Sequence, residues 1–282
     1  MSDQHQTTLS NDDVVRFQSE GFLILDAPPL VPMLSKLRGE ISKLIALRSG
    51  LEIDTKGTRD ECFDAGLLGL CRLDRNHGRA VFDAGSRLLT LHQLSIEPWL
   101  LAVARDLMGT DFPQVALDKA IRMDLPGEDR FLFPLHQDYT YDPSSPNGLV
   151  FWIPLRRVDA QSGALSIALG SHHQGVRRVR VLHDRTMRGP GGITGNALYE
   201  LSDIEDIERA SMELAELDFG QVLVFSNLLV HASNANLSDD IRWTVQVRFG
   251  DFKSDLPVGK GWPHGNFRGH YFYETHPEFI EY

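Results

Sequence analysis

The chain has 282 residues, of which 42% are hydrophobic, so it is long enough to bury a core as one large domain or two small ones. Its formal net charge of −11 argues against a nucleic-acid partner, because phosphates require a basic face. No apolar run approaches the roughly 20 residues that span a bilayer, and the polar, acidic start of the chain argues against a signal peptide. We expect Cys62 and Cys71 to be reduced thiols rather than a disulfide, which favours a cytoplasmic location.

Residues 1–110 are predicted to be a mainly helical flank. A Ser-x-x-Asp pattern resembling a capping box begins a helix over about residues 10–20. Apolar residues recur at helical spacing over 31–48, and Gly50 follows as a stop. A third helix is predicted over 97–108, before Gly109.

Residues 111–250 are predicted to form a β core, because short runs rich in Val, Ile, Phe and Trp alternate there with Pro, Gly and Asn. The strand candidates are 115–123, 131–138, 148–155, 164–169, 221–231 and 241–250. An insert near 186–218 is expected to contain an acidic helix at about 202–216, and 251–282 to be an irregular tail. The whole chain is therefore predicted to be one mainly β domain, a double-stranded β-helix (jelly roll, cupin-like) with flanking N-terminal α-helices.

His136, Asp138 and His231 are the candidate metal ligands. Two imidazoles and one carboxylate form a facial triad, which suits ferrous iron because it leaves three coordination positions open for substrate and dioxygen. In an extended strand His136 and Asp138 would point to the same face, since they stand two residues apart. A second His-x-Glu triplet at 276–278 is not expected to bind metal.

The strand predicted over 241–250 alternates between an apolar and a polar face. Its polar side chains are Arg242, Thr244, Gln246 and Arg248. The planar donors of Arg242 are well shaped to pair bidentately with the carboxylate of an acidic cosubstrate. A half-exposed strand with an ordinary salt bridge is the alternative interpretation.

Two blocks of sequence, residues 134–173 and 220–249, resemble the phytanoyl-CoA dioxygenase family of iron- and 2-oxoglutarate-dependent oxygenases. The matching pieces are His-Gln-Asp with a Tyr three residues on, Trp-Ile-Pro-Leu, Ser-Gly-Ala-Leu, Gly-Ser-His, and H-x-S…N-x-S…R. The Asn11–Leu25 stretch also looks like the opening of the family.

This resemblance implies the cofactors and their ligands. Fe(2+) would be bound by His136, Asp138 and His231, with 2-oxoglutarate and O2 as cosubstrates, and Arg242 would bind the distal carboxylate of 2-oxoglutarate. The further cofactor contacts that the resemblance implies are Ser233, Lys119, Trp152 and Tyr141. A surface location for Lys119 and core packing for the two aromatic side chains are the alternatives.

The function implied is a 2-oxoglutarate-dependent dioxygenase that oxidises a small molecule, with hydroxylation favoured, and releases succinate and CO2. No catalytic residue beyond the metal ligands is expected. Asp138 favours oxygenation over halogenation, because related halogenases lack this carboxylate. A non-catalytic jelly-roll binding protein and, less favoured, a zinc hydrolase are the alternatives.

The sequence leaves the substrate and the oligomeric state open. Two basic clusters in the acidic chain could receive an anionic substrate, although solvated surface charge is the favoured interpretation. They consist of Arg72, Arg75, His77 and Arg79, and of Arg177, Arg178 and Arg180. His172 and His173, in the Gly-Ser-His-His turn, are expected to be structural.

Overall fold

The fold is seen in a computed structural model that describes most of the chain. The described residues are 9–50, 63–64, 66–117, 119–129, 132–182, 188–189, 192–193, 198–204, 207, 212–263 and 272–281. The helices are α1 (Asn11–Glu20), α2 (Val31–Ser49), α3 (Leu67–Leu73), α4 (Asn76–Gly85), α5 (Leu89–Leu94), α6 (Pro98–Met108), α7 (Asp255–Gly259) and α8 (Phe272–Thr275). Within these residues no helix combines the length and the apolar character that crossing a membrane requires.

The strands are short and almost all antiparallel. They are β1 (Phe22–Asp26), β2 (Pro113–Val115), β3 (Ala120–Asp124), β4 (Gly148–Pro154), β5 (Leu165–Ala168), β6 (Val179–Leu182), β7 (Arg188–Gly189), β8 (Gly192–Ile193), β9 (Leu198–Leu201), β10 (Met212–Ala215), β11 (Gln221–Ser226), β12 (His231–Ala232), β13 (Arg242–Asp251) and β14 (Ile280–Glu281).

The three helices predicted from the sequence are confirmed. Ser10 and Asp13 form a capping box at the start of α1, because each side chain accepts a hydrogen bond from the other residue's backbone N–H. Gly50 and Gly109 follow α2 and α6 in the left-handed conformation, which glycine adopts without a steric penalty.

Two sheets build the β core. The larger has the order β1-β11-β4-β13, and the free side of β13 pairs first with β3 and then with β2. The smaller has the order β10-β5-β12. Strand β1 therefore adds the N-terminal region to the edge of the larger sheet by pairing with β11.

Alternation along β4 shows how the layers pack. Leu149, Phe151 and Ile153 belong to the apolar cluster that joins the larger sheet to the helices. Val150 and Trp152 point the other way, into a second cluster shared with the smaller sheet. Successive strand residues face opposite sides, so one strand serves both layers. The predicted jelly roll with flanking N-terminal helices is confirmed.

Three strand predictions need correction. The strand predicted over 115–123 is two strands, β2 and β3, which pair with successive parts of β13. The strand predicted over 221–231 breaks after Ser226, because the chain crosses there from the larger sheet to the smaller one. The strand predicted over 131–138 is wrong: in its described part, 132–138, one bridge joins His136 to His231, and a 3-10 turn begins at Asp138.

The insert and the tail also differ from expectation. The acidic helix predicted near 202–216 is wrong for Met212–Ala215, which is strand β10 and completes the open edge of β5. Residues 205–206 and 208–211 of that prediction lie outside the described residues, as does Cys62. The tail, expected to be irregular, contains α7, α8 and β14, and β14 pairs with β6 in parallel.

Candidate metal centre

The three candidate ligands come together beside β12, an edge strand of the smaller sheet. His136 and His231 form an antiparallel bridge in which each backbone N–H donates to the other's carbonyl, at 3.0 and 3.1 Å. Their side chains therefore lie next to each other, with ring centroids 4.2 Å apart. Asp138 is the first residue of the 3-10 turn, and its carboxylate lies next to the two rings.

The spacing of the ligand atoms suits a single ion. Asp138 Oδ1 lies 3.3 Å from His136 Nε2 and 3.7 Å from His231 Nε2. The three ligand atoms are all within 4.8 Å of one another, and the residues are buried. Among the residues that the structure describes, this is the group of His, Cys, Asp and Glu side chains arranged to hold a metal. Such a site offers three protein ligands and leaves other positions open.

Backbone carbonyls orient both imidazoles. His136 Nδ1 lies 2.7 Å from the carbonyl oxygen of Pro134, and His231 Nδ1 lies 3.1 Å from that of Leu229. Because a carbonyl oxygen only accepts, each Nδ1 carries the proton. In the neutral ring the Nε2 lone pair then faces the site, as a metal ligand requires.

The charges of the ligands also suit a cation. Burial, followed by the neighbouring His136, lowers the pKa of His231 to about 3, so this imidazole is neutral near pH 7. Burial alone would raise the pKa of Asp138, but the Arg248 guanidinium and the two neighbouring imidazoles together outweigh it and hold that pKa well below its usual range. A neutral imidazole and an ionised carboxylate are the forms that bind metal.

Arg248 is a site residue that the sequence analysis did not single out. Its Nε donates to Asp138 Oδ2 at 3.0 Å, and its Nη2 lies 2.8 Å from the same oxygen. Gln246 Oε1 accepts from Nη2 at 2.9 Å. The signal that could have found it is the strand alternation, since Arg248 shares the polar face of β13 with Arg242.

Arg242 is buried and joined to neighbouring strands and turns. Its Nε and Nη2 lie 3.1 and 3.0 Å from Asp124 Oδ2, across the β3–β13 pair. Its Nη1 donates to the carbonyl oxygens of Gly163 and Asn234. Asp124 also accepts from Arg122. The expected role of Arg242 toward a cosubstrate stays a prediction, and the buried pair with Asp124 gives it a structural role in addition.

Gly163, in the Ser-Gly-Ala-Leu motif, is required by this arrangement. Its φ of +85° lies in the left-handed region, and a Cβ there would stand 2.6 Å from both Arg242 Nη1 and the Asn234 carbonyl oxygen. Any other residue would be strained and would displace the guanidinium.

Tyr141 and Trp152 have different surroundings. The Tyr141 ring meets the His136 ring edge to face at a centroid distance of 5.6 Å, and burial raises the pKa of its hydroxyl, which stays protonated. Trp152 is buried in the apolar cluster between the sheets and pairs in register with Gln246. Tyr141 thus contacts a candidate ligand, whereas Trp152 packs in the core between the sheets, and their expected contacts with a cosubstrate stay predictions.

Ser233 and Lys119 are both half-buried. The Ser233 backbone N–H donates to the Phe133 carbonyl at 3.0 Å, which places this residue beside the segment that leads to His136. Lys119 immediately precedes β3, so it is not itself in a strand as the sequence predicted. Their expected contacts with a cosubstrate stay predictions.

Three arginines of the two basic clusters are paired with acidic residues, and the favoured interpretation of solvated surface charge does not describe the buried Arg177. Arg75 donates to both carboxylate oxygens of Glu128 at 2.8 Å, and Arg79 pairs with Asp83. Arg177 is buried and pairs with Asp203. These three arginines therefore have acidic partners within the protein, and an anionic substrate stays a prediction.

Three of the described histidines outside the triad have structural surroundings. His172 and His173 lie 3.1 and 3.2 Å from the carbonyl oxygens of Gln18 and Ser19, at the end of α1. His276 is fully buried, and its Nε2 lies 2.9 Å from the Tyr139 hydroxyl. Helix ends leave carbonyls without intrahelical partners, so the two turn histidines complete α1.

Gln137, between the two nearest ligands in the sequence, faces away from them. It is fully buried, and its amide donates to the carbonyls of Gly175 and Leu228 at 2.8 and 2.6 Å. Its Oε1 accepts from the Arg177 backbone N–H at 2.9 Å. The glutamine thus fixes the ligand-bearing segment to two other loops.

Thr244 is fully buried on the polar face of β13, between Arg242 and Gln246. Its hydroxyl has no hydrogen-bond partner among the residues that the structure describes. A buried polar group without a partner costs about 1–3 kcal/mol. We therefore predict that Thr244→Val, of nearly the same shape, increases the free energy of unfolding by about 1–3 kcal/mol in denaturant titrations of the metal-free protein.

The matched control for this prediction is Thr244→Ser, which keeps the hydroxyl and loses a methyl group. It should be less stable than the starting protein. If the valine variant were also less stable, a partner for the hydroxyl would have to exist in the metal-free protein.

A jelly roll that brings together two histidines and one aspartate has the ligand set of mononuclear non-haem iron oxygenases. The sequence profile of the phytanoyl-CoA dioxygenase (PhyH) family matches residues 18–244. The chain belongs to this family, as its motifs indicated.

Individual proteins of known function match only part of the chain. The chain is 34% identical over 113 residues to 1-deoxypentalenic acid 11-beta-hydroxylase of Streptomyces arenae, a match that covers 40% of this chain and 38% of that protein. The matched region thus spans less than half of this curated relative.

Two solved structures show the same fold. One is SnoK, a non-heme alpha ketoglutarate dependent carbocyclase from nogalamycin biosynthesis, with a TM-score of 0.54, 20% identity, and coverage of 86% of this chain and 85% of that one. The other is EctD from S. alaskensis with 2-oxoglutarate and 5-hydroxyectoine, with a TM-score of 0.54, 16% identity, and coverage of 94% and 80%. At these identities the likeness establishes the fold.

Proposed function

We propose that the protein is an Fe(II)- and 2-oxoglutarate-dependent dioxygenase that oxidises a small molecule and releases succinate and CO2. One observation carries this proposal: His136 Nε2, His231 Nε2 and Asp138 Oδ1 converge within 4.8 Å of one another in a buried site. Membership of the phytanoyl-CoA dioxygenase family supports it.

The three ligands fit ferrous iron. Their imidazole nitrogens are oriented by backbone carbonyls, and Arg248 together with the two imidazoles favours the ionised carboxylate. Bound iron would supply the redox chemistry with dioxygen, coupled to decarboxylation of 2-oxoglutarate. The protein's own contribution is to fix the ligand geometry and to keep bulk water away from a buried site.

We propose Arg242 as the residue that binds the distal carboxylate of 2-oxoglutarate, with Ser233, Lys119, Tyr141 and Trp152 as further contacts. A guanidinium has five N–H donors. Those on Nε and Nη1 of Arg242 are donated to Asp124, Gly163 and Asn234, and Nη2 lies 3.0 Å from Asp124 Oδ2. Among the described residues, one Nη2 N–H therefore remains for the carboxylate. The contact would use one N–H rather than the bidentate fork expected from the sequence.

The substrate is proposed to be a small molecule, with hydroxylation as the favoured outcome. The names of relatives support this class: one is a hydroxylase, and EctD was solved with 5-hydroxyectoine. An anionic substrate and a cytoplasmic location stay predictions from the sequence.

The test is anaerobic addition of Fe(II) and then 2-oxoglutarate to the metal-free protein. We expect the visible charge-transfer band of Fe(II) chelated by 2-oxoglutarate, followed by succinate formation when oxygen and a substrate are added. Tight metal binding without the band would favour a non-catalytic binding protein. Oxygen-independent hydrolysis by the zinc-loaded protein would favour a zinc hydrolase.

A further inference from the structure

The two oxygens of the Asp138 carboxylate have different partners. Oδ1 faces the two imidazoles, at 3.3 Å from His136 Nε2 and 3.7 Å from His231 Nε2. Oδ2 accepts from Arg248 Nε at 3.0 Å and lies 2.8 Å from Arg248 Nη2. One oxygen is thus directed to the candidate metal position, and the other is held by a guanidinium.

Arg248 is itself held in place. It lies on β13, which pairs on one side with β4 and on the other with β2 and β3. Gln246 Oε1, on the same face of that strand, accepts from Arg248 Nη2 at 2.9 Å. Asp138, in contrast, lies in a three-residue 3-10 turn. Arg248, on a strand that is paired on both sides, therefore fixes the orientation of the Asp138 carboxylate, which lies in a short turn.

This orientation matters because a carboxylate can bind a metal through one oxygen or through both. An octahedral ion with two imidazoles and one carboxylate oxygen keeps three open positions. If Oδ2 also bound, one of these positions would be lost. A chelating oxo acid needs two positions and dioxygen a third, so the proposed reaction requires the one-oxygen mode.

We propose that Arg248 is a positioning residue that keeps Asp138 a one-oxygen ligand by holding Oδ2 away from the metal. The importance of this for turnover rests on the proposed function, but the effect on coordination does not. The charge-assisted pair to Oδ2 is the kind of outer partner that orients metal ligands.

The experiment counts the water molecules on a bound probe ion. Metal-free protein is saturated with Mn(II), which prefers octahedral oxygen-rich coordination, and the exchangeable waters on the ion are measured by water proton relaxation. We expect about three waters on the original protein and about two on Arg248→Met, in which Oδ2 is released to bind. A purely structural role for Arg248 would change thermal stability and leave the water count at three.

Two further variants keep the result interpretable. Arg248→Gln has a polar side chain about two bonds shorter, too short to reach Oδ2, and should give the same lower count if the methionine variant does not fold. Arg75→Met is the control, because it removes a comparable half-buried pair, with Glu128 at 2.8 Å, outside the triad. Its water count should stay at three.

Folded Arg248→Met or Arg248→Gln protein with three waters on Mn(II) would overturn the proposal. The result is independent of cosubstrate binding. If the original protein holds Mn(II) with three waters but forms no chelate with 2-oxoglutarate, the proposed function fails while the role of Arg248 is still decided by the count.

Discussion

Asp138→Ala is expected to eliminate detectable succinate formation and to weaken metal binding by at least about 100-fold. Loss of an outer partner of a metal ligand alone costs about 10–100-fold in affinity, and this substitution removes a ligand itself. The fold should persist, because Asp138 lies in a short turn rather than in either apolar cluster between layers. Equilibrium titration with Co(II), succinate assays and circular dichroism would measure the three effects.

The control for this prediction is Asp142→Ala. Asp142 stands four residues further along, and its side chain accepts from the Ser144 backbone N–H rather than facing the triad. This variant should bind Co(II) like the original protein. Near-normal metal affinity in Asp138→Ala would mean that the ion is bound elsewhere.

The sequence predicted which candidate ligands come together better than it predicted their local structure. His136 and Asp138 were placed together on the basis of strand alternation, yet they meet through one backbone bridge and a 3-10 turn. Pro134 has no N–H to donate to a ladder, which argues against a regular strand at this point. The side chains of His136 and Asp138 nevertheless point to the same site, because Gln137 between them is extended, with φ −108° and ψ 136°, as a strand residue would be.

The partners of the arginines could not be predicted in the same way. The sequence does place Arg242 and Arg248 on one face of β13, because the alternation of side chains along a strand depends on local geometry alone. The pairing of Arg242 with Asp124 depends on the register between β3 and β13, and that of Arg248 with Asp138 on how a turn packs against the sheet. Both are long-range contacts. The end of β11 at Ser226 could not be predicted for a similar reason. The apolar sequence continues past Ser226, and only the long-range contacts of the fold show that the chain changes sheets there.

Arg242→Met is expected to have two separable effects. The first is a loss of about 3 kcal/mol of folding stability, at the lower end of the range for breaking a buried ion pair, because Asp124 keeps Arg122 as a partner. The second is about ten- to a hundredfold weaker binding of 2-oxoglutarate, from loss of a charge-assisted hydrogen bond worth about 1.5–3 kcal/mol. Denaturant unfolding of the metal-free protein measures the first, and anaerobic titration of the chelate band measures the second.

The double variant Asp124→Asn/Arg242→Met separates these effects. It removes the buried carboxylate charge together with its partner, so it should recover part of the stability lost in Arg242→Met. The affinity for 2-oxoglutarate should stay low, because the donor to the distal carboxylate is still missing. Recovery of that affinity in the double variant would show that Arg242 acts only by neutralising Asp124, and the cosubstrate carboxylate would then have to be bound by another cation.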